Sequence, residues 1–243
     1  DRFLTFDEEK KLLKRFTDYL PMMEKSLLNG GIHTPNHRWI GASGMLMLAN
    51  IMDSADLRNL AFAYLNEGVD MSEFGEYTER SPHYSEVCNT SFMQIALETG
   101  DRSYLEYAKK NMDLLFRYLE PNFTMFTQNS NRVDTHEGNV NAVTKPYYLY
   151  YTYLHMSYLT NNPQYAKFAD DIYKAVEKIH KTGPGSLWMY LAYPELMEYE
   201  PKMEQYPTSY NIFHGDIVRY RNEDFSASIL TRTPNFLFVQ IGD

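Results

Sequence analysis

The chain has 243 residues, 44% of them hydrophobic, and a formal net charge of −9. That length and apolar content suffice for a substantial buried core, while the acidic balance and the lack of any basic stripe argue against nucleic acid as a partner. A single cysteine, Cys88, excludes an internal disulfide, and no stretch is long and apolar enough to span a bilayer.

In chain order, Phe6 to Leu28 sets Leu12, Leu13, Phe16, Tyr19, Leu20, Met23 and Leu27 at helical spacing among charged residues. Asn29-Gly30-Gly31 supplies the stop, and Pro21 predicts a kink or a division into two helices. The stretch His33-Thr34-Pro35-Asn36-His37-Arg38-Trp39 then crowds an amide, two imidazoles and a guanidinium in front of an apolar run ending at Met52. Pro35 restrains the backbone, Asn36 is the expected N-cap, and a helix from about Asn36 to Met52 presents its free amides there, an anion-facing arrangement. Gly41-Ala42-Ser43-Gly44 falls inside this helix and suits close packing rather than a phosphate cradle. An outer helix, Asp56 to Asn66, ends at Gly68.

A second polar loop, Gly75 to Tyr84, feeds a buried helix from about Ser85 to Glu98, and Asp101 is the expected cap of an amphipathic helix reaching Leu119. Phe123 to Thr127 reads as a short strand. A third polar loop, Gln128 to Asn141, carries Arg132, Asp134, His136 and Glu137, and a tyrosine-rich helix, Lys145 to Leu159, is followed by an outer one, Pro163 to His180. Polar loops before buried helices near residues 36, 85 and 145 make a loose repeat of about 50 to 60 residues, as expected for stacked helical hairpins in a toroid or solenoid with all three loops at one end. Beyond Gly183-Pro184-Gly185 a short helix, Leu187 to Tyr199, and three strands, Tyr210–Tyr220, Phe225–Thr231 and Phe236–Ile241, are expected. Three strands close neither barrel nor sandwich, so a longer β domain is expected of which these are the opening strands. The start at Asp1, with neither initiator Met nor signal peptide, similarly suggests processing or excision from a longer protein.

Inner helices with polar loops at one rim, followed by a β region, resemble the polysaccharide lyases built from an α/α toroid and a β-sandwich, the hyaluronate, chondroitin, alginate and heparinase-like group. The residues carrying the resemblance are Pro35-Asn36-His37-Arg38-Trp39, the Gly75 to Ser81 loop with His83 and Tyr84, and the Arg132 to His136 segment. It implies a mainly α architecture: an incomplete α/α toroid over residues 1–200, then the start of a β-sandwich over 201–243. It further implies secretion or a periplasmic location, an acidic polysaccharide as partner, and β-elimination without an organic cofactor.

In that chemistry a uronate carboxylate is neutralised, a base removes the C5 proton, and an acid protonates the departing O4. Carried onto this chain, Asn36 with His37 or Arg38 forms the carboxylate clamp. Successive helical side chains diverge by about 100°, so all three cannot face one ligand, and Asn36 is favoured. His83 and Tyr84 are the acid and base, and Arg80 is the cation needed to lower a tyrosine pKa from its ordinary value of about 10. Trp39, Tyr77, Glu79, Arg132 and His136 complete the substrate subsites.

Glu76 and Glu79 open an alternative, an α/α-toroid glycoside hydrolase in which Glu79 works with Asp134 or Glu137 across the scissile bond. A non-catalytic glycan-binding protein is a further alternative. His33, His37 and His83 lack a compact ligand spacing, so no metal site is assigned, although a structural divalent ion is compatible with the resemblance.

Overall fold

A computed structural model describes residues 4–31, 34–132, 145–177 and 185–242. The chain is mainly helical, with a small antiparallel sheet at its C-terminal end. Helix α1 (Phe6–Asn29) opens on the Thr5 capping box with Glu8. It continues through Pro21 as one helix, correcting the expected division into two: the carbonyl of Thr17, which Pro21 cannot bond, lies on an exposed stretch open to water.

Helices α2 (Pro35–Met52), α4 (Pro82–Thr99) and α6 (Tyr150–Thr160) carry few charges. Helices α3 (Ala55–Asn66), α5 (Ser103–Tyr118) and α7 (Pro163–Glu177) are more strongly sided. In α5, Leu105, Ala108, Met112 and Leu115 make the inward stripe. Helix α2 packs on α3 and α4, α4 on α5 and α6, and α6 on α7, so three helical hairpins stand side by side with α4 between α2 and α6. A short helix, α8 (Gly185–Ala192), and a 3-10 turn over Pro194–Met197 follow.

Thr34, rather than Asn36, is the N-cap of α2, because Pro35 takes the first helical position. Ser81 plays the same part before Pro82, so α4 starts three residues earlier than expected and takes His83 and Tyr84 into its first turn. The cap of α5 is Arg102 by backbone geometry, while Asp101 accepts from the Ser103 amide at 2.9 Å. Phe123 to Thr127 is not a strand: Phe123 sits at φ 60°, and the segment folds back on its own approach through a single bridge, Leu119 with Met125.

The sheet has four strands rather than three. The expected strand Tyr210–Tyr220 is a hairpin, β1 (Tyr210–His214) and β2 (Ile217–Arg221), reversed at Gly215-Asp216 with Gly215 at φ 52°. β3 (Phe225–Leu230) and β4 (Leu237–Ile241) complete the order β1-β2-β3-β4. Its pleat is unusual in polarity. Arg219, Arg221, Ser226 and Ser228 are buried toward the helices, whereas Val218, Tyr220, Phe225, Ile229, Leu237, Val239 and Ile241 are exposed.

The sheet shares the helical core through Ile212, Ile217 and Leu230, and Tyr206 stacks on Phe116 of α5 at 5.1 Å. Arg219 makes the polar joint. Its guanidinium, 1% exposed, meets Glu120 at 2.8 Å, Ser228 at 2.6 Å and the Arg117 carbonyl at 3.0 Å.

Candidate functional site

Three loops meet where the inner helices begin, and side chains tie each to the next. From the first turn of α2, Arg38 reaches the segment that leads from α3 into the second loop: its guanidinium bonds Glu67 at 2.8 Å, the Gly68 carbonyl at 3.3 Å and the Asp70 carboxylate. The second loop is fixed from below by a buried chain of amides. Tyr77 donates to Asn89 at 3.0 Å, Asn89 to Asn111 at 3.0 Å, and Asn111 to the Gly75 carbonyl at 2.9 Å. Gly75, at φ 90°, has no room for a side chain: a Cβ there would stand 2.5 Å from the Lys110 carbonyl oxygen.

The third loop is bound to the second by Asn129, which donates to Glu76 at 2.7 Å, and by Asn131, which donates to the Thr78 carbonyl at 3.1 Å. Glu76 also accepts from Tyr118 at 2.7 Å. Burial raises its pKa, against the lowering effect of the Tyr118 hydrogen bond and Arg80. Arg80, at φ 52°, spans Asn129 and Asp216 of the β1–β2 turn, bringing the sheet to the edge of the same loops.

Four of the expected residues converge at this junction. His83 is exposed at the start of α4, edge-on to Tyr84 at 5.7 Å and to Tyr148 at 5.0 Å between ring centroids. The Arg132 guanidinium lies 4.4 Å from the centre of the half-buried Tyr84 ring. The same guanidinium meets Glu79, with 3.6 Å between charged atoms. Glu79 is 5% exposed and neither of its oxygens receives a hydrogen bond, so burial raises its pKa while Arg132 pulls it back. One helical turn beyond His83, Glu86 is likewise raised by burial, opposed by its bond to Thr90. Burial and then the charges of Glu79 and Glu86 push the Cys88 thiol up, so all three belong to one neighbourhood.

The other expected residues lie elsewhere. Asn36 is buried and accepts from the Thr34 hydroxyl, while His37 is exposed on α2. Trp39 is 1% exposed and packs on Phe92 at 5.1 Å, with the Arg38 guanidinium 4.3 Å from its ring, so it offers no open face to a sugar. Tyr77 is equally enclosed, stacked on Phe92. Arg80 is committed to Glu76, Asn129 and Asp216, and the cation over Tyr84 is Arg132 instead. His33, Asp134, His136 and Glu137 lie outside the described residues.

Tyr148 and Glu86 went unnoticed in the sequence. Proline two residues before Tyr84 and again two before Tyr148 is the signal that pairs them: Pro82 is the first residue of α4, and Pro146 precedes the 3-10 turn Tyr147–Leu149 that leads into α6. Glu86 follows His83 at i+3, which shares a helix face. Among the described residues no group of three His, Cys, Asp or Glu side chains is placed to hold a metal ion, and no helix is long and apolar enough to cross a membrane. In comparisons with known proteins, the chain matches no family model, no curated protein and no solved structure.

Proposed function

We propose that the protein is a polysaccharide lyase that cleaves a uronic-acid-containing polysaccharide by β-elimination, at the junction of the three loops. The observation that carries this reading is the convergence of His83, Tyr84 and Arg132 at the open end of α4, with the guanidinium 4.4 Å from the tyrosine ring. Arg132 faces the substrate carboxylate and offsets the charge that builds on it when C5 is deprotonated. One of Tyr84 and His83 takes the C5 proton. The released electron pair forms the C4–C5 double bond, the C4–O4 bond breaks, and the other residue protonates O4.

The finer architecture belongs to the same reading: the three hairpins are part of an α/α toroid, and the sheet is one leaf of a β-sandwich. A secreted or periplasmic location follows from the size of such a polymer. The chemistry calls for no organic cofactor, and a structural divalent ion is compatible with it.

A specific observation favours a second reading. Glu79 is buried with its pKa raised, the condition that keeps a carboxyl protonated for general-acid work in a glycoside hydrolase. One experiment separates the two. The protein is offered alginate, hyaluronate, chondroitin sulfate and heparan sulfate in turn, and the ultraviolet absorbance of the new double bond conjugated to the carboxylate is followed alongside reducing ends.

Absorbance that rises on one polymer and falls by about 10²–10⁴-fold in Tyr84→Phe supports elimination. Arg132→Gln is expected to lower the same signal by about 10²–10³-fold. Reducing ends without absorbance, lost in Glu79→Gln, make the protein a hydrolase. Binding of a polymer with neither signal makes it a non-catalytic glycan-binding protein.

A further inference from the structure

The sheet presents apolar residues on both of its faces, and the outer one identifies a surface. Strand alternation places apolar residues on one face and polar ones on the other, and the apolar face normally takes the core side. Here the helices cover a mixed face, Ile212, Ile217 and Leu230 beside Arg219, Ser226 and Ser228, and a second, largely apolar face looks outward. Cross-strand register makes that face continuous: Val218 pairs with Ile229, which pairs with Leu237, and Tyr220 pairs with Ala227, which pairs with Val239. Five of these six are more than a third exposed.

We infer that this face is a docking surface for the same face of a second copy of the chain, the two sheets closing as a sandwich about a two-fold axis. The inference rests on the sheet alone and not on the lyase reading, and in it the second leaf of the sandwich is the partner's sheet rather than later strands of the same chain. Three observations select a second copy. The face is self-complementary in chemistry, with aliphatic and aromatic side chains in cross-strand rows, as sandwich interiors require.

It also carries no charged side chain among the described residues at its outward register positions, so two chains of net charge −9 meet there with least repulsion. The third observation is size. Four strands about 4.8 Å apart and about five residues long give roughly 300 Å² of flat face. With side-chain relief the two copies together bury about 1,000 Å², the lower bound of a specific interface. A reversible dimer is expected rather than a permanent one.

Helix α1 offers the competing apolar surface, since Leu12, Leu13, Phe16 and Tyr19 are exposed. Its stripe is bordered by Glu8, Glu9, Lys10 and Arg15, so two copies of it meet with charges at the seam, unlike the sheet.

Light scattering across a concentration series from micromolar to hundreds of micromolar tests the inference. The protein is expected to shift from one chain to twice that mass. Val218→Lys with Ile229→Lys, neighbours at the centre of the face, is expected to raise the dissociation constant by about 100-fold or more, because four like charges then confront one another. Circular dichroism verifies that the fold is kept; should that double variant unfold, Val239→Lys near the β4 edge gives the same reading. A protein that stays monomeric throughout overturns the inference. So does a dimer that survives the sheet variants and disappears in Phe16→Glu, which would assign the contact to α1.

Discussion

His155 on α6 shows how a single buried side chain sets a pH limit. It is 3% exposed and lies 4.1 Å from the Tyr193 ring, and burial pushes its pKa down to about 4, with Glu195 opposing. In the unfolded chain it titrates at the ordinary value, about 6.5. Between those values the unfolded chain binds a proton that the folded chain refuses. Its contribution is therefore complete above about pH 6.5 and lost as the pH falls toward 4, by on the order of 3 kcal/mol.

Glu76, Glu79 and Glu86, whose pKa values are raised, act in the opposite sense: they favour the folded state at low pH and lose that contribution as the pH rises through their folded values. Urea unfolding of the protein and of His155→Phe at about pH 7 and about pH 4.5 separates the terms, with the variant expected to lose much less stability on acidification. An equal loss in both would remove His155 as the cause. Nothing in the sequence marks this histidine, because its pKa depends on Tyr193 and Glu195 being brought against it from a distant segment. Trp39 and Tyr77 stand beside polar residues in sequence, yet the fold turns them into the core while Arg38 turns out to Glu67 and Asp70. Adjacency in sequence says little about which of two neighbours faces a ligand.

Elements were legible where composition and punctuation agree. Few charges in α2, α4 and α6, against the sided patterns of α5 and α7, allowed the hairpins to be read without any contact information. Proline placement marks both starts: Thr34-Pro35 and Ser81-Pro82 are cap-and-start pairs that put the first helical residues at Pro35 and Pro82. The hairpin at Gly215-Asp216 was hidden because apolar residues continue on both sides of the turn, so one long strand fitted the pattern equally well.

Least legible was the join between α5 and the sheet, which depends on pairing Glu120 with a residue 99 positions away. Replacing Arg219 by Met leaves Glu120 buried without its cation and is expected to cost about 3–5 kcal/mol. Adding Glu120→Gln is expected to restore a good part of that, because the stranded charge is removed together with its partner. Chemical denaturation of the single and double variants gives the coupling directly. Additive losses would mean that the two side chains act independently.

At the scale of the molecule, three hairpins stand side by side with their loops at one end, and a sheet is fastened beside them by Ile212, Ile217 and Leu230 in the core, by Arg219, and by Arg80 at the loop edge. The polar part of that joint alters how the structure comes apart. A sheet held by apolar contacts alone could slip or lift with a gradual loss of area, but this one cannot leave without stripping a buried guanidinium and carboxylate of every partner at once. Its opening is thus tied to the opening of α5, and the four strands lack a private, lower-energy route to the unfolded state. Amide hydrogens of β2 and β3 should exchange with the same free energy as those in the middle of α5, whereas separate, faster exchange in the strands would reveal an independent module. The chain between Met197 and Tyr210, which has the sequence position of an interdomain linker, accordingly connects two parts of one cooperative unit.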